Sequence, residues 1–263
     1  MKLLPRGWKR IGHIGILTLD PRLYPWKQTI GKIYLKHLPE LSTIAHKVGI
    51  TTHQIRTPNY EILAGDPQTI TLHKELHCTF MLDALRLTFS SGNHAERVAM
   101  IQACQNPEKV IDMFACVGNL SIPLAVHNPI TEVIGIDINP TACEYLTKNI
   151  QMNHLTSRYH AICGDSRSTT PTNWADRVIM GYFTLDPTHF ISALSSLRQL
   201  QGGTIHAHGL SSNRNPWDWS QTLNEIVEPS FPHLKINSIV KRPIKTVAPG
   251  IEHFVNDITI SPQ

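Results

Sequence analysis

The chain has only five cysteines in 263 residues, and no two are spaced as Cys-x-x-Cys. Cys78, Cys104, Cys116, Cys143 and Cys163 are an odd set spread too widely for a disulfide framework, and they read as reduced thiols of a cytosolic protein. Long apolar runs are also missing. The N-terminal MKLLPRGWKR has no apolar centre of the kind a secretion signal needs, and no stretch approaches the roughly 20 residues that cross a bilayer. These absences predict a soluble, cytoplasmic chain without a membrane partner. There is no Walker-type phosphate loop and no Ser-His-Asp pattern, which removes the P-loop hydrolases and the serine hydrolases. Charged residues make up 17% of the chain and the formal net charge is +4, which permits a polyanionic partner without demanding one. His73-x-x-x-His77-Cys78 and His206-x-His208 have no third and fourth ligand at plausible spacing, so no metal is expected.

What the chain does contain is a strand, turn, helix, strand, acid sequence over residues 109–153, KVIDMFACVGNLSIPLAVHNPITEVIGIDINPTACEYLTKNIQMN. An apolar run ends in Asp112, a turn follows at Ala115 to Gly118, a helical pattern starts at Asn119, and a second apolar run stops on Asp137. A doubly wound sheet holds an adenosine-bearing cofactor in this order, beyond its strand ends. A carboxylate closing the second strand can accept from both ribose hydroxyls. The competing reading is an ordinary βαβ unit with an accidental acid. Gly164-Asp165-Ser166 follows the third strand, where Asp165 can accept from the adenine amine, so Asp137 and Asp165 would bracket one nucleoside.

Strands are expected near 109–114, 132–137, 158–163, 176–181, 202–208, 234–242 and 251–259, with helices near 119–127, 140–153, 187–199 and 216–227. The last two strands are joined only by Ala248-Pro249-Gly250 and should pair antiparallel. Residues 1–90 read as a separate small α+β unit and 91–263 as the sheet domain. In the small unit the IGHIGIL run suggests a strand, 26–38 a helix with Ile30, Ile33, Tyr34 and Leu38 on one face, and 41–47, 60–63, 68–74 and 82–88 short strands. Lys9, Arg10, Lys27, Lys32, Lys36, Lys47 and Arg56 form either a surface that tracks a nucleic-acid backbone or a solvated basic face. In FSSGNHAERVAM, which joins the units, Arg97 either clamps the carboxylate of a bound amino-acid moiety or, with Glu96, solvates a helix start. Trp217-x-Trp219 either stacks on a base or belongs to the core.

Six strands in one direction with one reversed near the edge resembles the class I S-adenosylmethionine-dependent transferases, a Rossmann-like α/β fold with a seven-stranded sheet. The runs IDMFACVGNLSIPLA, IDINP, GDSR, WADRVIMG, GGTIHAHG and APGIEHFVNDI resemble the tRNA-modifying enzymes that act on the purine 3′ of the anticodon, and the small N-terminal domain fits both branches of that class. One branch makes 1-methylguanosine. The other, in the wybutosine pathway, transfers the 3-amino-3-carboxypropyl arm of S-adenosylmethionine. Gly92-Asn93, Gly181-Tyr182-Phe183, Gly164-Asp165-Ser166-Arg167 and His206-x-His208 are more similar to the aminocarboxypropyl branch. The resemblance implies S-adenosylmethionine as donor, a tricyclic guanine derivative in tRNA as acceptor and methylthioadenosine as by-product. It implies catalytic roles for Asn93 and Arg97, and a cofactor set of Glu96, Arg97, Phe114, Ala115, Cys116, Gly118, Asp137, Ile138, Asp165 and Ser166. The chain departs from the family pattern in having Cys116 where glycine is usual, Asp137 where glutamate is common, and no proline-containing stretch after the fourth strand. Methyl transfer, a tRNA-binding relative impaired through Cys116, and transfer to a small metabolite remain the alternatives.

Overall fold

A computed structural model describes residues 5, 7–49, 58–104, 106–212 and 220–263. It divides into two compact units, residues 1–92 and 93–263.

In the first unit, β1 (Lys9–Ile11) and β2 (Ile14–Leu17) form a hairpin that turns through Gly12 at φ +56°, a conformation glycine adopts without penalty. A 3-10 turn (Pro21–Trp26) and α1 (Lys27–His37) carry the chain to β3 (Thr43–Lys47), which pairs parallel with β2, and β4 (Tyr60–Gly65) then pairs antiparallel with β3. Leu17, Leu23, Ile30, Leu41, Ile44 and Leu63 fill the space between α1 and the sheet. Gly31 lets α1 approach β4 closely, since a Cβ there would stand 2.7 Å from Leu63 Cβ. The expected apolar face of the helix is only partly correct. Ile30 is buried and Tyr34 and Leu38 pack against the core, but Ile33 is turned to solvent.

β5 (Ile70–Glu75) and β6 (Cys78–Asp83) make a separate two-stranded ribbon. The strand expected at 82–88 ends instead at Asp83, whose Oδ1 accepts from Leu85 N–H (3.1 Å) and from the Thr69 hydroxyl (2.7 Å), a local turn that outcompetes continued pairing. Lys27 pairs with Glu61 at 2.7 Å, whereas Lys9, Arg10, Lys32, Lys36 and Lys47 occupy exposed positions. Arg56 and Trp217-x-Trp219 lie outside the described residues.

The second unit opens with α2 (His94–Ala103) and continues through β7 (Lys109–Asp112), α3 (Ser121–His127), β8 (Glu132–Asp137), α4 (Pro140–Met152), β9 (Tyr159–Cys163), the single turn α5 (Ser166–Thr169), β10 (Arg177–Met180), α6 (Pro187–Ser196), β11 (Gly203–Ser212), α7 (Ser220–Ser230), β12 (Leu234–Ala248) and β13 (Ile251–Pro262). The sheet order is β12-β13-β11-β10-β7-β8-β9. β7 to β11 run parallel, and β13 is antiparallel to both its neighbours. Six strands therefore share one direction and one opposes them, as the alternation of elements and the final hairpin predict. β12 is longer than its apolar pattern suggests, because its side chains alternate between half-buried and exposed around Pro243 and three register shifts.

Local signals set the helix starts beside the crevice. Asn139 caps α4 by accepting from Thr141 N–H, with Pro140 at the first helical position. Asp186 caps α6 in a reciprocal box with His189. Phe190 and Leu194 from α6, Leu223 and Val227 from α7, and Phe231 just after it cover one face of the sheet over Val178, Ile205 and Ile258. No helix among the described residues is long and apolar enough to cross a membrane.

Candidate cofactor site

The parallel strands β7, β8 and β9 end side by side, and the residues that follow them form the site. After β7 the chain turns tightly: Ala115 N–H donates to Ile136 O (2.9 Å) and Gly118 N–H to Ala115 O (2.8 Å). Two residues of this turn adopt positive φ, Gly118 at +89° and Cys116 at +51°. The second is unusual for a side chain that carries a Cβ.

Asp137 ties the turn to the end of β8. Its Oδ2 accepts from Cys116 N–H (2.7 Å) and its Oδ1 from Asn139 N–H (2.9 Å), so the carboxylate is fixed by backbone on both sides. Burial pushes its pKa up from the ordinary range, and the two N–H groups oppose that shift by favouring the charged form. Ile138 follows immediately and is 37% exposed, an apolar surface beside a fixed acid.

Beyond β9, Gly164 N–H donates to Asp137 O (2.9 Å), which places Asp165 next to this corner. Asp165 caps α5 through Arg167 N–H (3.0 Å) and forms a partly exposed ion pair with the Arg167 guanidinium. That guanidinium, first among the causes, holds the Asp165 carboxyl below the usual range. Phe114 stacks on Tyr182 with ring centres 5.0 Å apart and lies 5.4 Å from the His189 ring. Phe183 turns the other way and meets His253 edge-on at 4.8 Å.

The structure thus brings together Phe114, Cys116, Gly118, Asp137, Ile138 and Asp165. Ala115 and Ser166 lie in the same segments but are buried, so they shape the site through backbone. The expectations for α2 need correcting. Arg97 and Glu96 are both 0% exposed, so they neither solvate a helix start nor line a crevice. Arg97 Nε donates to Asn119 O (2.8 Å) at the end of the cofactor turn, and Glu96 pairs with Arg242 (3.0 Å). Asn93 precedes α2 without capping it by its side chain, and its Oδ1 accepts from Lys245 Nζ (2.5 Å).

Two features went unread in the sequence. One is a buried chain under the turn, in which the Ser121 hydroxyl donates to Asp112 Oδ2 (2.7 Å) and lies 2.6 Å from the Tyr159 hydroxyl. The Tyr159 ring crosses β8 at Gly135, where a Cβ would stand 2.4 Å from its hydroxyl. Asp112 was visible as the acid closing a strand, but nothing local announces its partners. The other is a thiol pair: Cys143 donates to Asp137 O (3.2 Å) and lies within hydrogen-bonding reach of Cys163. All five cysteines are free thiols. Among the described residues no group of three or more His, Cys, Asp or Glu side chains is placed to hold a metal ion.

The strain at Cys116 yields a first prediction. A non-glycine residue in the left-handed region costs about 1–2 kcal/mol, and glycine gives back about 0.5–1 kcal/mol through the greater freedom of the unfolded chain. Cys116→Gly is therefore expected to raise stability slightly, by about 0.5 kcal/mol, measured as a higher denaturant midpoint with an unchanged slope.

Known proteins match the chain over nearly all of its length. The family model for the TRM5/TYW2 methyltransferase domain matches residues 71–230, and that for the TYW2 N-terminal domain matches residues 1–69. The chain is 35% identical over 262 residues to a tRNA(Phe) (4-demethylwyosine(37)-C(7)) aminocarboxypropyltransferase of Pyrococcus horikoshii, covering 99% of this chain and 91% of that one. The crystal structure of P. horikoshii TYW2 in complex with MeSAdo superposes with a TM-score of 0.83 at 32% identity, covering 99% of this chain and 92% of the other. Trm5b of Pyrococcus abyssi superposes equally well, with a TM-score of 0.83 at 29% identity, covering 99% and 76% of the two chains.

Proposed function

The chain belongs to the TRM5/TYW2 methyltransferase-domain family, and from that premise we propose that it transfers the 3-amino-3-carboxypropyl group of S-adenosylmethionine to a tricyclic guanine derivative 3′ of the anticodon in tRNA. The observation that carries the site is the Asp137 carboxylate, fixed by Cys116 N–H and Asn139 N–H between the cofactor turn and the strand end. Two bonds to backbone leave lone pairs on both oxygens for the ribose hydroxyls. Ile138 offers an apolar face to the adenine. Asp165 accepts from the adenine amine, in exchange for part of its pairing with Arg167.

The sulfonium has three carbons open to attack, and its leaving group is already cationic, so no proton has to reach it. Alignment of one carbon with the nucleophile is what the protein supplies. In the proposed reaction the acceptor carbon attacks the γ-carbon of the arm and the C–S bond breaks. Its electron pair stays on sulfur, neutral methylthioadenosine leaves, and the proton displaced from the acceptor carbon passes to solvent or a protein base. Arg97, buried against Asn119, acts here through the turn.

Incubation with S-adenosylmethionine and tRNA carrying 4-demethylwyosine, with the sulfur product identified by mass spectrometry, tests the reading. Methylthioadenosine is expected. S-adenosylhomocysteine as the sole by-product would assign the chain to the methyl-transferring branch, and tRNA binding without either product would identify an impaired relative. Turnover on a small metabolite with no salt-dependent tRNA affinity would remove tRNA as the partner.

A further inference from the structure

Arg242 lies on β12 at the edge of the sheet, yet its guanidinium reaches the first turn of α2. Nη1 and Nη2 donate to the two Glu96 oxygens at 3.0 and 3.2 Å, while Nε and Nη2 donate to Asp257 on β13. The chain of contacts continues inward. An arginine can only donate, so His206 Nε2 must accept from Arg177 Nη1 (2.5 Å), which leaves the proton on Nδ1 to donate to Asp257 Oδ1 (2.6 Å). Arg177 then binds Glu108 at 2.6 and 2.9 Å and donates to Ala103 O (2.9 Å).

The network therefore starts at Glu96 in the first turn of α2 and returns at Ala103, its last residue. Lys245 adds a bond to Asn93 just before the helix. Between these fastenings α2 presents Arg97, whose Nε holds the carbonyl of Asn119 at the end of the cofactor turn. This path reaches the turn at Asn119, whereas Asp137 is bound at Cys116, three residues earlier, and at Asn139 beyond the end of β8.

We propose that Arg242 is a positioning residue for the amino-acid end of bound S-adenosylmethionine, acting through Glu96, α2 and Arg97 on the turn that ends at Asn119. The inference rests on the nucleoside site assigned above, and it divides that site in two. The adenosine half is fixed by the ends of β8 and β9, and the methionine half is set by α2.

Calorimetry with two probes, S-adenosylmethionine and adenosine, separates the halves. In Arg242→Gln, affinity for S-adenosylmethionine is expected to fall about tenfold while that for adenosine stays within about twofold, because a small displacement of a supporting group is felt only by the ligand part it positions. Arg242→Lys keeps a cation between the two carboxylates but cannot bridge them as a fork, and is expected to lose about threefold on S-adenosylmethionine alone. This variant carries the test if the glutamine variant does not fold. Equal losses for both probes, or no loss for either, in a variant with the wild-type unfolding midpoint would overturn the proposal. A wild-type protein that binds neither probe would overturn the nucleoside site itself, and the inference with it.

Discussion

Replacing Asp137 by asparagine is expected to cost at least about 100-fold in affinity for S-adenosylmethionine, because it removes one charge-assisted bond of roughly 1.5–3 kcal/mol and puts a donor where an acceptor is required. Both oxygens of Asp137 already receive backbone N–H groups, from Cys116 at 2.7 Å and from Asn139 at 2.9 Å. An amide has a single oxygen, so whichever way it turns, its NH2 faces one of these N–H groups. The turn or the strand end must then move, and a ribose hydroxyl also loses its acceptor. Adenosine should lose affinity in parallel, since the ribose is common to both ligands, which is the opposite of the pattern expected for Arg242. Asp137→Glu keeps two acceptors and only lengthens the reach, and its loss should stay within about tenfold. Calorimetry on the three proteins decides it. Binding by Asp137→Asn within threefold of wild type would remove Asp137 from the site.

The parts of this site that sequence revealed are those specified over short distances. The turn at Ala115 to Gly118, the acid closing β8, the Asn139-Pro140 helix start and the final hairpin each announce themselves within a few residues. Period, breaker and cap act locally, so the order of elements and the position of Asp137 could be read directly. Cys116 belongs to the same group: its identity drew attention as a departure from glycine, and its φ of +51° is the conformation that makes glycine the natural choice there.

What could not be read depends on partners far along the chain. Glu96 and Arg97 form a charged pair at a helix start, which is ordinarily an exposed place. They are buried because Arg242, 146 residues later than Glu96, brings a neutralising guanidinium, and because Asn119 O lies opposite Arg97. Without those partners, burial of either side chain would be prohibitive, and no window of local sequence contains them. Ile33 shows the same limit in the first unit. Helical periodicity places it beside Ile30 and Tyr34, but Ile30 is buried and Tyr34 packs on the core while Ile33 stays exposed, a choice set by where β3 and β4 pass and not by the helix's own pattern. The contacts of Tyr182 and Phe183 likewise depend on Phe114, just after β7, and His253 on β13.

The buried acid beneath the turn makes the second large effect a matter of pH. Burial raises the pKa of Asp112 from 3.8 to about 7, against the hydrogen bonds it accepts from Ser121 and Phe114 N–H, which favour the charged form. Between these values the folded protein holds a proton that the unfolded chain has released. Stability is therefore highest below the lower value and falls as pH rises through the window, by about 1.4 kcal/mol per unit and about 4 kcal/mol in all, before levelling above pH 7. Asparagine at this position cannot ionise. Its cost is about 1 kcal/mol for imperfect hydrogen bonding, kept small because the Ser121 and Tyr159 hydroxyls can reverse their donor order. Asp112→Asn is thus expected to match wild type near pH 5 and to exceed it by about 2–3 kcal/mol at pH 8, most of the gain arising between pH 5 and 7. Urea unfolding of both proteins across that range measures the difference directly. A pH-independent difference would mean that Asp112 carries its charge in the fold at every pH tested, with water or a cation reaching the space between Ser121 and the cofactor turn.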